Sequence, residues 1–340
     1  MPYYPTSDSP IIRTTELVVW GVTTRNFHCR EIGTGLAVTL RAYVSRAVPG
    51  TVITVDVTME KVLKKGLSID GTIRDSRIDI PALGLVRLGL TPVGAEDPAK
   101  GEPPWEGIGF SDPDEGEFCD RDLEEWEVEE GDLFDSEDEA LTSPDDLEFP
   151  YNEIWKAGAR MAYEMEQVLP GDDPEDDFDP VADAAEMMEF GRRIDAWRLL
   201  HGLLAKDLRC LDAYSHLGSY FFDGPSGADQ AARYYEVGVA IGDWSLFPIW
   251  RGEVPDRRSY LLPWGWLDNR PYLRCLHGLA LCRWRQGRFD DAARLMTDIL
   301  WLNPLDNQGA RLVLPEILSK TPWRPDDLRP PHDTTPLRVE

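Results

Sequence analysis

The chain has 340 residues, is 42% hydrophobic and 10% aromatic, and carries a net charge of −27. That length accommodates two ordinary domains, and that apolar content excludes a wholly disordered protein. Its five cysteines (Cys29, Cys119, Cys210, Cys275 and Cys282) are odd in number and scattered, which excludes a disulfide framework and points to a reducing, cytoplasmic setting.

The charge is not spread evenly. Residues 1–95 hold 11 Lys+Arg against 8 Asp+Glu, residues 96–180 hold 4 against 32, and residues 181–340 hold 20 against 22. The acidity therefore belongs to one middle segment between two nearly neutral flanks. "MPYYPTSDSP" has no apolar core for a signal peptide, and no stretch of about 18 apolar residues is present to span a membrane. No membrane association is expected.

Residues 16–90 alternate with period two. In "LAVTLRAYVS" Leu36, Val38, Leu40, Ala42 and Val44 share one face; in "TVITVDVTME" Ile53, Val55, Val57 and Met59 do. Pro49-Gly50 supplies a turn between them, and Gly71 is a bulge or bend in the strand that follows Gly66. With "ELVVWGV" and "LGLVRLGL" this predicts five short strands, which must close to hide their edges. A small barrel, SH3-like or OB-like, over residues 1–95 is the economical solution. Such barrels can bind RNA or single-stranded DNA through cations and stacking aromatics. Here the aromatics are few (Trp20, Phe27, Tyr43), and the domain's +3 is tethered to a segment of −28, so nucleic acid ranks second as a partner.

Residues 96–150 predict an acidic, largely disordered linker, because charge this dense cannot be buried. Within 111–149 stand 19 acids and one cation, Arg121, interspersed with Phe118, Trp126 and Phe134. Such a composition suits a segment that docks on a partner. An EF-hand register from Asp112 fails: Gly116 falls fifth and Leu123 twelfth, where the loop needs glycine sixth and glutamate twelfth. A helix over about 151–169 follows, then a second acidic patch at 171–180 and a helical domain, giving a helical unit at 151–320 and a Pro-rich flexible tail at 321–340.

From Ala184 onward the apolar period is about 3.6. "GRFDDAARLMTDILWLNPLDNQG" (287–309) reads as a turn, a helix carrying Ala292, Met296 and Ile299, a stop at Pro304 and the start of another helix. Ahead of it, "LHGLALCRWRQ" aligns Leu276, Leu279 and Ala280. "LDAYSHLGSYFF" aligns Tyr214, Leu217, Gly218 and Phe221, with Ala231, Tyr235 and Gly238 on the helix after it, and Ala196, Leu200 and Leu203 belong to an earlier unit. This succession of small and large positions resembles the tetratricopeptide (TPR) family over about residues 185–320. The spacing from Ala231 to Ala292 is 61 residues, so about 27 extra residues interrupt the array, and Arg283 stands where the family usually packs an aromatic.

Joined to the period-two strands and the acidic run, the resemblance gives a fold class of α+β: a small barrel, an acidic connector and an all-α TPR-like array. It also implies a groove lined by the first helix of each unit, with Arg274, His277, Leu281, Trp284 and Arg285 from the third unit and Ser215, Ser219 and Phe222 from the second. Two guanidinium groups and an indole suit an acidic, aromatic-bearing peptide, and the chain's own "DLEEWEVEEGDLF" (122–134) is such a peptide. The interruption holds Trp244, Phe247, Trp250, Tyr260, Trp264 and Trp266. Most should pack the loop down, with Trp250, Trp264 and Trp266 as possible recognition anchors. No GxSxG, Walker loop, HExxH or ligand-spaced His/Cys cluster occurs, so neither catalysis, a cofactor nor a metal is expected. The sequence therefore predicts a cytoplasmic adaptor that grips a protein or peptide and competes for it with its own acidic segment.

Overall fold

The computed structural model describes residues 10–23, 26–42, 47–98, 149–171, 179–222, 227–250 and 256–324. The acidic connector beyond residue 98, including 122–134, lies outside these residues, as does the tail from residue 325.

The N-terminal part is a closed five-stranded barrel: β1 (Arg13–Val22), β2 (Phe27–Glu31), β3 (Ala37–Arg41), β4 (Val52–Leu63) and β5 (Gly66–Arg77), in the order β1-β2-β3-β5-β4. All pairs are antiparallel except β3 with β5. Period-two burial sends Leu17, Val19, Phe27, Cys29, Val38, Leu40, Ile53, Val55 and Val57 inward. Leu36 and Met59, expected on this inner face, are exposed. "LGLVRLGL" is not a barrel strand, since it follows a one-turn helix, α1 (Ile80–Leu83), and ends at the start of β6 (Leu90–Glu96). The fifth barrel strand is "FHCRE", whose two inward residues, Phe27 and Cys29, make too short a pattern to stand out. Gly71 lies where the β4–β5 register shifts; a Cβ there would sit 2.4 Å from the Asp56 carbonyl oxygen.

The barrel does not stand apart from the helices. Val18, on the opposite face of β1 from Leu17 and Val19, joins Val48 and Val52 in the core of the helical part. β1 is apolar on both faces because both are covered. The chain between β3 and β4 turns at Gly50 (φ +86°) against Tyr214 and Val237, so close that a Cβ would fall 2.5 Å from Val237 Cγ1. The Leu88 N–H donates to Ser245 Oγ at 3.0 Å.

A helix over 151–169 does not form. α2 (Tyr151–Lys156) ends before Gly158 (φ +69°), and β7 (Arg160–Met165) follows, burying Arg160, Ala162 and Met165. β7 pairs antiparallel with β6 and parallel with β8 (Tyr260–Leu261), a strand inside the interruption of the array. The acidic connector thus leaves from the end of β6, where Glu96 pairs with Arg160, and returns two elements later to the same sheet. Fully buried Asn269 ties the sheet to the interruption, accepting from the Met165 N–H at 2.8 Å and donating to the Tyr163 and Pro263 carbonyls.

Among the described residues seven further helices follow: α3 (Pro180–Glu189), α4 (Arg193–Lys206), α5 (Leu211–Phe222), α6 (Gly227–Leu246), α7 (Arg270–Arg285), α8 (Phe289–Leu302) and α9 (Ala310–Leu318). They form three successive hairpins, α3–α4, α5–α6 and α7–α8, with α7 packed on both α5 and α6. The small residues Ala196, Ala231 and Ala292 are fully buried, as are Cys275 and Cys282. The interruption is held down by Arg257, 4% exposed, which grips both Asp243 carboxylate oxygens (2.6 and 2.7 Å), Asp298 (2.7 Å) and the Tyr272 hydroxyl (3.0 Å). Among the described residues no helix is long and apolar enough to cross a membrane.

Candidate functional site

Helices α5 and α7 run side by side, and the space between them is set by glycine. The Tyr235 ring of α6 wedges between Gly218 of α5 and Gly278 of α7; a Cβ at either would come within 2.3 Å or 2.2 Å of the ring. Any larger residue at these positions would expel the ring. The wedge forms the floor of a groove of about 430 Å³, and its hydroxyl lies 3.1 Å from Ser219 Oγ.

Around this floor stand Ser215, His216, Ser219 and Phe222 from α5, Arg274, His277 and Leu281 from α7, and Gln308 from the turn before α9. Of the eight groove residues expected from sequence, six therefore line one opening: Ser215, Ser219, Phe222, Arg274, His277 and Leu281. Trp284 does not. It lies ten positions beyond Arg274, about 80° round the helix, and is 1% exposed. Its indole N–H donates to the Thr321 carbonyl at 2.7 Å and its ring meets Trp323 edge-on. Arg285 stands past the far end of the groove, donating to the Phe222 carbonyl with its guanidinium 5.3 Å above the Phe222 ring.

The two ends of the groove differ in chemistry. At one, Arg274 Nη1 bonds Asp212 Oδ1 at 3.1 Å, and Asp212 also accepts from Ser215 Oγ (3.1 Å) and Gln167 Nε2 (3.4 Å). Arg274 keeps 40% of its side chain exposed, so one guanidinium edge is committed and the rest faces outward. At the other end Phe222, Leu281 and the Tyr235 ring offer an apolar surface. Burial pushes His277 down to about 4. His216 is lowered as well, by burial first and by Arg274, against the opposing pull of Asp212. Both imidazoles are neutral at pH 7, and the groove there holds one cation against one carboxylate.

The expected loop anchors divide. Trp264 lies half-buried beside Arg270 and Arg274, its ring centroid 5.1 and 5.6 Å from their guanidinium carbons, and so adjoins the polar end. Trp250 is packed down, its N–H on the Tyr260 hydroxyl at 3.3 Å and its ring against Phe247. Trp266 is 40% exposed. Tyr235 and Gln308 lie outside the first helices from which the resemblance draws the lining, and His216, though on α5, is not among the positions expected to line the groove. The matched glycines Gly218 and Gly278 were the available signal for an aromatic wedge.

The Ser215 hydroxyl donates to Asp212, on the same helix, and not to an imidazole, so it lacks the base that would activate a serine nucleophile. Among the described residues no group of three His, Cys, Asp or Glu side chains could hold a metal. No protein-family model matches the chain, and no curated protein matches it.

Proposed function

We propose that the chain is an adaptor of TPR-like architecture whose α5–α7 groove receives an extended peptide segment of a protein partner. The observation that carries this reading is the groove itself: two successive first helices and a glycine-admitted tyrosine enclose about 430 Å³, apolar at one end and bearing a half-exposed arginine at the other. Peptide grooves combine such an apolar anchor point with a few placed polar groups. The three stacked hairpins and the buried small residues Ala196, Ala231 and Ala292 support the TPR-like frame.

The test is selection of displayed random peptides on the intact chain. Selected peptides should share an apolar residue and a carboxylate, and a Phe222→Ala/Leu281→Ala variant should lose them. Selection of nothing that saturates, or peptides that bind the variant undiminished, would overturn the reading.

A second reading, RNA or single-stranded DNA on the barrel, draws support from the Greek-key closure, as in OB-like barrels, and from exposed Lys61, Lys64 and Lys65 at the β4–β5 tip. Against it, Phe27 is buried in the barrel, Trp20 packs toward the helices with Arg30 4.2 Å over its ring, and Arg13, Arg41, Arg74 and Arg77 are all in ion pairs. Salt-dependent retention of the intact chain on single-stranded nucleic acid, lost in a Lys61→Ala/Lys64→Ala/Lys65→Ala variant, would favour this reading.

A further inference from the structure

After α9 the chain doubles back across α7. Thr321 takes the Trp284 indole N–H, and Trp323 meets both Trp284 (4.9 Å) and Phe222 (5.5 Å) edge-on. Phe222 is the apolar end of the groove. The last described residue, Arg324, therefore leaves the structure at the groove mouth. The sequence continues "PDDLRPP". We propose that this segment, residues 325–331, is the groove's resident ligand, lying along it from Phe222 toward Arg274.

Length and charge both fit. From Ser215 to Phe222 the groove follows seven residues of α5, about 10 Å of helix. Asp326 and Asp327 stand three and four residues beyond Trp323, about 10–13 Å of extended chain, which brings their carboxylates to the uncommitted edge of Arg274. Leu328 is available for the side of the groove. Pro325, Pro330 and Pro331 restrict the backbone and disfavour helix, which reduces the entropy to be lost on docking. The acidic segment 122–134 is the competing occupant by composition. None of the described residues flanking its stretch of chain (97, 98, 149 and 150) lines the groove, so nothing places its ends there.

The inference rests on the groove being a peptide site, and its test separates the two. The probe is a labelled synthetic peptide of residues 325–340. It is titrated into the full wild-type chain and into a full chain carrying Asp326→Gly, Asp327→Ser and Leu328→Gly. A short tether supplies an effective concentration near millimolar, so the probe should bind the substituted chain about tenfold or more tighter than the wild type. Adding Phe222→Ala and Leu281→Ala to the substituted chain should abolish binding. Equal binding to both chains, or none to the substituted chain, overturns self-docking. If the selected random peptides, or a 122–134 peptide, still bind the substituted chain while the 325–340 probe does not, self-docking fails and the groove reading stands. If no peptide binds that chain, both fail.

Discussion

The layer formed by α5, α6 and α7 has two unlike sides. Toward the barrel it is sealed: Gly50 presses a turn onto Tyr214 and Val237, and Val18, Val48 and Val52 run into the helical core. On the other side Gly218 and Gly278 admit one ring, Tyr235, and the helices stay far enough apart to leave an open groove. Glycine permits close approach in both places. In the first it brings backbone against side chain and closes the surface; in the second it lets a side chain prop two helices. The sealed side covers the outer face of β1 and the turn before β4, and the open side is where half-exposed polar groups keep bonding capacity.

The largest expected effect is at the clamp that holds the interruption against this layer. Arg257→Ala leaves Asp243 and Asp298 without their shared guanidinium in a nearly buried setting, and should cost about 3–5 kcal/mol in denaturant unfolding. A loss under about 1 kcal/mol would show the interruption to be loosely attached.

Next is the wedge. Gly278→Ala should cost about 1–3 kcal/mol, because the Tyr235 ring must move and the α5–α7 spacing with it. Tyr235→Leu in the same chain should recover part of the loss, a coupling that unrelated sites would not show. Additive losses would separate the groove's shape from the glycines.

The buried histidines carry a pH dependence. His201 is 4% exposed, hydrogen-bonded to the Tyr234 hydroxyl at 3.2 Å, and burial lowers it to about 4 from 6.5. The folded protein resists the proton that the unfolded chain accepts, so stability is unaffected above pH 6.5 and falls as pH drops from 6.5 toward 4. The expected loss is on the order of 1–3 kcal/mol, with His277 adding in the same direction. His201→Gln should remove its share of the difference between urea midpoints at pH 7.5 and pH 4.5.

How the barrel joins the helices predicts the result of proteolysis. Cleavage by a Glu- or Asp-directed protease within 99–148 should leave the two pieces in one elution peak, because β6 pairs with β7 and Val18, Val48 and Val52 lie in the helical core. Separation without denaturant would mean that the sealed side is weaker than its burial implies.

The helical half was the more legible in sequence. "LDAYSHLGSYFF" is α5 residue for residue, because a 3.6-residue apolar period over 12 positions is a long signal. The barrel's existence was legible but not its strand list. "FHCRE" offers two inward residues, while "LGLVRLGL" is apolar because Leu88 packs on the helical core. The strand at 160–165 read as helix since "RMAYEM" has no turn residue of its own, and its partners lie about 70 and 100 positions away. Six groove residues followed from the lining that the TPR resemblance implies, but Trp284, expected with them, is not in the lining, since its place depends on residues 321–323 crossing α7.

The smallest effect on stability should come from the half-exposed arginine of the groove, and that is what makes it useful. Arg274 is 40% exposed and its pair with Asp212 is solvent-screened, so Arg274→Ala should change stability by less than about 1 kcal/mol. Asp212 keeps the Ser215 hydroxyl and the Gln167 amide as partners. At the Arg257 clamp, by contrast, removing one arginine strips two carboxylates of their shared partner. If the open side is a binding surface, Arg274→Ala should weaken a carboxylate-bearing selected peptide about tenfold, and the loss should shrink at high salt as screening removes the charge term from the wild type. A variant that folds normally and binds normally would leave Arg274 a solvated member of a local ion pair, and would reduce the groove's chemistry to Phe222, Leu281 and the Tyr235 ring.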